Sequence, residues 1–193
     1  MVEVNEWWQM LAIFFFAANP GVAAAGMAHA QGAMEVERYR WQIAAAGFAT
    51  SALLVVIAVA IADPLVQLLN VHQGTFRIAA GSVMLVVAGQ TIVRGHPGLR
   101  EPGASWKAGI YPLGLPLIGG PAMLAAALNW SAEPDVSPWL TLAMALPALV
   151  LATLAGAFAP GGYGGQLAAI ARLIAVLLAV GAVAIIVSGV QAV

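Results

Sequence analysis

Cysteine is absent from this chain and charge is scarce: 193 residues carry seven Lys plus Arg and eight Asp plus Glu, 8% of the whole. Without cysteine there is no disulfide framework, thiolate metal site, iron–sulfur ligation or cysteine nucleophile. A water-soluble chain of this size is about one-quarter charged, because its surface must be wetted. Here 62% of residues are hydrophobic and the mean hydropathy is +0.94. A net charge of -1 with no basic stripe leaves nothing to neutralise a phosphate backbone, so nucleic-acid binding is excluded. No long polar run remains for a separate soluble domain. The solvent is mostly lipid.

A bilayer core about 30 Å thick takes roughly 20 apolar residues per helical span, so six spans use about 120 residues, close to the apolar share of the chain. Tryptophan prefers the headgroup level, and Trp7, Trp41, Trp106 and Trp139 each stand where an apolar run begins. The expected spans are residues 7–30, 41–62, 76–93, 106–130, 139–159 and 167–190. The expectation is a single all-α transmembrane domain over 1–193. The N-terminal run 10–18 before Ala28-His29-Ala30 superficially resembles a signal peptide. Its flank has Glu3 and Glu6 and no Lys or Arg, and Asn19-Pro20-Gly21 interrupts it, so it reads as a retained first span.

Basic residues are retained on the cytoplasmic side, and six passes put alternate loops on opposite faces. The loops after spans 1, 3 and 5 hold Arg38, Arg40, Arg94, Arg100, Lys107 and Arg172; the N-terminus and the other loops hold only Arg77, with Glu3, Glu6, Asp63, Glu133 and Asp135. Both termini are therefore expected outside the cytoplasm of a bacterial-type inner membrane.

Two spans contain residues that a simple anchor avoids. Span 1 reads Phe14-Phe15-Phe16-Ala17-Ala18-Asn19-Pro20-Gly21, and span 4 reads Pro112-Leu113-Gly114-Leu115-Pro116-Leu117-Ile118-Gly119-Gly120-Pro121. Proline removes a backbone donor and glycine lets the chain leave helical geometry. In lipid, unwound backbone is tolerated only where it is buried in protein or lines a wet cavity, so Asn19-Pro20 and Gly119-Gly120-Pro121 are candidate binding elements near mid-span. Pro112 and Pro116 read as ordinary helix-start prolines. Phe76-Arg77-Ile78-Ala79-Ala80 opening span 3 is similar to Ala171-Arg172-Leu173-Ile174-Ala175 opening span 6, and the two spans end near Gly95 and Gly189. These pairings predict a three-plus-three repeat, residues 7–95 and 106–190, whose second half is inverted because three is odd. Paired interrupted helices in inverted halves are how secondary transporters place substrate at the midplane.

The spans hold no central Asp, Glu, Lys or Arg; their polar groups are Asn19, Thr50, Ser51, Ser82, Gln90, Thr91, Thr141, Thr153 and Ser188. A proton relay or a strongly charged substrate ordinarily needs intramembrane charge, whereas a small zwitterion or neutral solute needs only helix ends and an amide. Scattered Ser and Thr read as interhelical hydrogen bonds. Arg77 and Arg172 read as snorkelling residues. His29, His72 and His96 are too far apart to form a metal site; His29, following the first break, is the one placed to titrate near neutral pH. No metal or other cofactor is expected. With no paired carboxylates, Ser/His pair or metal cluster, an enzyme is not expected either.

With these residues in view, the chain resembles the MarC-related integral membrane proteins, which are similar to the wider LysE-type exporters. The carrying features are Asn19-Pro20 closing an apolar first span, Phe76-Arg77-Ile78-Ala79-Ala80-Gly81, Pro112-Leu113-x-x-Pro116-Leu117-x-x-Gly120-Pro121, and Arg172-Leu173 leading into span 6. The resemblance covers nearly the whole chain and implies a six-helix inverted repeat and transport of a small neutral amino acid. It departs from the family pattern where Gly21 directly follows Asn-Pro and where Ala122, Met123, Leu124 and Ala125 replace the usual threonines. The substrate-binding residues carried over are Asn19, Pro20, Gly21, Gly119, Gly120 and Pro121. The expected partners are the lipid bilayer and a small neutral solute, with a homo-oligomer or other membrane subunits left open. The alternative function is a non-transporting subunit of a larger membrane complex built on the same fold.

Overall fold

The computed structural model describes residues 4–30, 34–95 and 106–193, and among them every regular element is helical. In chain order these are α1 (Val4–Ala18), α2 (Pro20–Ala30), α3 (Met34–Leu69), α4 (Gln73–Arg94), a wide-turn segment (Gly109–Ile118), α5 (Pro121–Ser131), α6 (Pro138–Phe158) and α7 (Gly164–Gln191). Five apolar helices are long enough to cross a membrane, or six when the wide-turn segment and α5, bent by 58° to each other, count as one span. The expected spans coincide with these elements to within a few residues, except that α3 runs on to Leu69 through Pro64. Arg100, His96 and the side chains of Glu3, Glu6, His29 and Arg38 lie outside the described residues.

Helices dominate because a chain in lipid must satisfy its backbone within each segment. Their ends carry the usual signals. Pro121 and Pro138 open α5 and α6, where the missing N–H costs nothing. His72 caps α4, its Nδ1 accepting from the Gly74 N–H at 3.4 Å. Gly162, at φ 88°, makes the turn before α7 in the backbone region that glycine tolerates.

The first span lies at the centre of the molecule. Its apolar window, within Trp7–Ala28, is 72% buried, against 22% for the window in α3 and 28% in each of α4 and α7, whose outer faces meet lipid. The core is built of small residues, among them Ala23, Ala126, Ala145, Ala152 and Ala182. Lipid tails are as apolar as leucine, so membrane helices associate through close backbone packing. The antiparallel pair α4 and α7 shows this plainly. A carbon added at Gly74 would sit 2.7 Å from the Gly189 carbonyl oxygen, and one at Gly81 2.9 Å from that of Ala182.

Side-chain contacts define the two ends of the bundle. At one end, Arg77 at the start of α4 forms a bidentate ion pair with Glu133 after α5, its Nε donating to Oε1 and its Nη2 to Oε2. Gln73 Nε2 donates to the Ala132 carbonyl at 3.0 Å and to Glu133 at 2.8 Å. At the other end, the rings of Trp41 and Phe158 meet edge to face at 5.2 Å. Arg77 is thus engaged by a carboxylate, where the sequence suggested simple snorkelling; the physical reason is that Glu133 shares its end of the bundle and satisfies the charge without headgroups.

Candidate functional site

The first interruption is a single residue. Asn19, 6% exposed, takes a positive φ of 41° between α1 and α2. Asparagine is enriched in that left-handed region because its short polar side chain bonds locally. Its Oδ1 accepts from the Val22 N–H at 3.2 Å, capping α2, and its Nδ2 donates to the Ala171 carbonyl of α7 at 3.1 Å. Two residues on, a carbon at Gly21 would lie 2.8 Å from the Ala171 Cα and N, so glycine is required for α7 to seat there. The Asn19-Pro20 and Ala171-Arg172 motifs, 152 residues apart, therefore meet.

The second interruption is longer than the Gly119-Gly120-Pro121 turn expected from the sequence. Pro112 and Pro116 are not ordinary helix-start prolines. Their preceding residues leave helical geometry, Tyr111 at φ -135°, ψ 126° and Leu115 at φ -133°, ψ 121°, because a proline ring crowds the preceding residue out of the helical region. The widened turns bond i to i-5, as in the Gly119 N–H to Gly114 carbonyl contact of 2.9 Å. Glycine recurs at this period, at 109, 114 and 119, and all three face α3. Carbons added there would lie 2.2 Å from the Ile43 carbonyl oxygen, 2.9 Å from the Thr50 Cβ and 3.0 Å from the Ser51 Cα respectively. Ser51 Oγ donates to the Gly47 carbonyl at 2.8 Å and across to the Gly114 carbonyl at 3.1 Å. Gly109, Gly114 and Ser51 were missed as site elements; the five-residue glycine spacing was the available signal.

The six carried-over residues thus form two groups. Asn19, Pro20 and Gly21 are buried against α7, and Gly119 is buried against α3, with Gly120 buried and Pro121 exposed. Elements of spans 1 and 4 touch one another, α1 with α5 and α2 with the wide-turn segment, but the polar bonds of each interruption run to its own long helix. Of the other polar groups within the spans, Ser82, Thr91, Thr153 and Ser188 donate to carbonyls of their own helices. Ser51 alone among these bonds between helices, so the expectation of widespread interhelical Ser/Thr bonds is corrected: a hydroxyl one turn from a free lone pair satisfies itself locally. No cluster of potential metal ligands occurs among the described residues.

A cavity of about 440 Å³ lies near the Arg77–Glu133 end, walled by α1 and α7 and reaching Asn129 and Trp130 at the end of α5. Asn129 is 3% exposed, and its Oδ1 and the Trp130 Nε1 have no hydrogen-bond partner. Nothing in the local sequence flagged this cleft, since its walls come from four different spans.

Long apolar helices around a small-residue core, with one pair of segments bent by 58°, define a polytopic helical membrane protein. The model of the MarC family of integral membrane proteins matches residues 4–193. The chain belongs to that family. No curated protein and no solved structure matches it.

Proposed function

We propose that this protein is a carrier for a small neutral solute such as a small amino acid, residing in a bacterial-type inner membrane with both termini outside the cytoplasm. Asn19, Pro20, Gly21, Gly119, Gly120 and Pro121 form its midplane binding elements. The observation that carries the reading is that each half has one interrupted, inward-placed segment seated by tight backbone contact on a long helix. An inverted repeat is supported by the main contacts: span 1 packs on spans 4, 5 and 6, and span 4 packs chiefly on spans 1, 2 and 3, with a smaller contact to span 5 that has no counterpart between spans 1 and 2. The openings of spans 3 and 6 add to this. A carbon at Gly189 would lie 3.0 Å from the Arg77 Cβ, and one at Gly95 would lie 3.4 Å from the Arg172 guanidinium. Exchanging halves preserves both relations.

In the conformation described, both amide groups of Asn19 are bonded within the protein. In the carrier reading this is the closed state, and substrate replaces the Ala171 carbonyl as the partner of Nδ2 when the halves rock apart. Uptake of labelled glycine and alanine into proteoliposomes tests the proposal. The parent moves at least one of them, and monodisperse Asn19→Ala and Gly119→Ala proteins lose most of that flux. Parent-level flux in both variants defeats the site assignment.

The same saturation of Asn19 favours a second reading, a non-transporting subunit in which both interruptions serve packing alone. Stable co-purification with other chains in mild detergent, with no flux of any small solute, supports this reading over the carrier.

A further inference from the structure

We infer that the cleft between α1 and α7 holds the acyl chain and headgroup of an ammonium-bearing zwitterionic phospholipid, of the phosphatidylethanolamine type. This is independent of the carrier reading. The apolar part of the cleft is a groove rather than an enclosed chamber: Ile13 and Phe16 of α1 face Leu177, Val180 and Ala184 of α7 across it. Leu177 is 48% and Val180 64% exposed, so the groove opens sideways onto the bilayer. From Leu177 to Ser188 a helix rises about 16 Å, the depth of one leaflet's hydrocarbon in a core about 30 Å thick. One acyl chain fits that length.

The groove ends in polar groups at a single level. Gln9 and Ser188 bring the two walls to this level, beside the Arg77–Glu133 ion pair, and Trp7 and Trp8, immediately before Gln9, are both exposed as interface residues are. Arg77 and Glu133 cancel in charge, which disfavours an anionic head. Asn129 and Trp130 supply the specificity. The Asn129 amide is buried with an acceptor oxygen unused, and the Trp130 indole has an unused N–H donor. Buried polar groups left unpaired are costly, so the ligand that fits supplies both a hydrogen-bond donor and an oxygen acceptor. An ethanolamine head has both, in its ammonium and phosphate. A choline head has the phosphate but no donor; a glycerol head has hydroxyl donors and the phosphate, but its net negative charge finds no balancing cation beside the neutral Arg77–Glu133 pair.

The test is native mass spectrometry of the full chain, delipidated in detergent and exposed to equal amounts of phosphatidylethanolamine, phosphatidylcholine and phosphatidylglycerol of matched chains. Phosphatidylethanolamine is expected to be retained roughly tenfold over the other two. Asn129→Leu should bring its retention down to the phosphatidylcholine level. Ala184→Phe, at an exposed wall position that leaves the core untouched, should reduce phosphatidylethanolamine retention by blocking the groove, so the proposal stays testable if the Asn129 variant fails to fold. Equal retention of the three lipids overturns the proposal. So does a preference unchanged in Ala184→Phe, or displacement of the bound lipid by millimolar glycine or alanine, which would make the cleft a solute site.

Discussion

The two interruptions solve one problem by opposite means. At Asn19 a side chain does the holding: its amide caps α2 and reaches across to α7. Along residues 109–120 the absence of side chains does it, since three glycines at the π-turn period let backbone lie on backbone of α3, with Ser51 as a cross-link. The first depends on hydrogen bonds whose loss leaves buried groups unpaired. The second depends on steric fit, tightest at Gly109 and Gly114 where an added carbon would fall below 3.0 Å from its neighbours, but it survives the loss of a single bond.

The largest effect should come from filling the second. Gly109→Val puts a branched side chain where even one carbon would meet the Ile43 carbonyl at 2.2 Å. The backbones must separate, at a cost of about 3 kcal/mol or more, the upper range for overpacking. Thermal unfolding in detergent should show loss of the cooperative transition or a large drop in Tm. A Tm near that of the parent would mean that the fit at α3 is loose.

An intermediate effect is expected at the first interruption, and its pattern matters more than its size. Asn19→Ala removes the cap and the bond to Ala171 and imposes a positive φ on a residue that resists it; together these cost about 2 kcal/mol. Asn19→Gly loses the same bonds but accepts the φ, and should be the milder change. If alanine is tolerated as well as glycine, backbone conformation contributes little here and the amide bonds alone define the site.

The smallest effect should be Ser51→Ala. Its Oγ gives up a bond to Gly114, but that carbonyl still receives the Gly119 N–H at 2.9 Å, so the loss is about 1 kcal/mol or less. Gly89→Leu is the reference, because nothing lies within 4 Å of the position; its Tm should be unchanged or slightly raised. A Ser51→Ala loss as large as that of Asn19→Ala would erase the contrast between the two interruptions.

Much of this was legible in the residues. The span limits followed from apolar length and tryptophan placement, and Asn19-Pro20 pointed to the one residue, at positive φ, that separates α1 from α2. Pro112 and Pro116 misled because proline at a helix start is ordinary, and only the repeated effect on Tyr111 and Leu115 makes the segment irregular. Arg77 looked like a headgroup ligand because its partner lies 56 residues away.

The sequence by itself determined that this is a membrane protein of about six apolar passes with little charge within them. Those are matters of composition and local backbone preference, which neighbours in space do not change. The tertiary structure decided which helix each interruption rests on, that span 1 is central, that Arg77 meets Glu133, and that a groove between α1 and α7 ends at Asn129 and Trp130. Each of these brings together residues from different spans. In lipid, where helices find one another through close backbone fit and scattered polar bonds, that pairing is settled by three-dimensional shape.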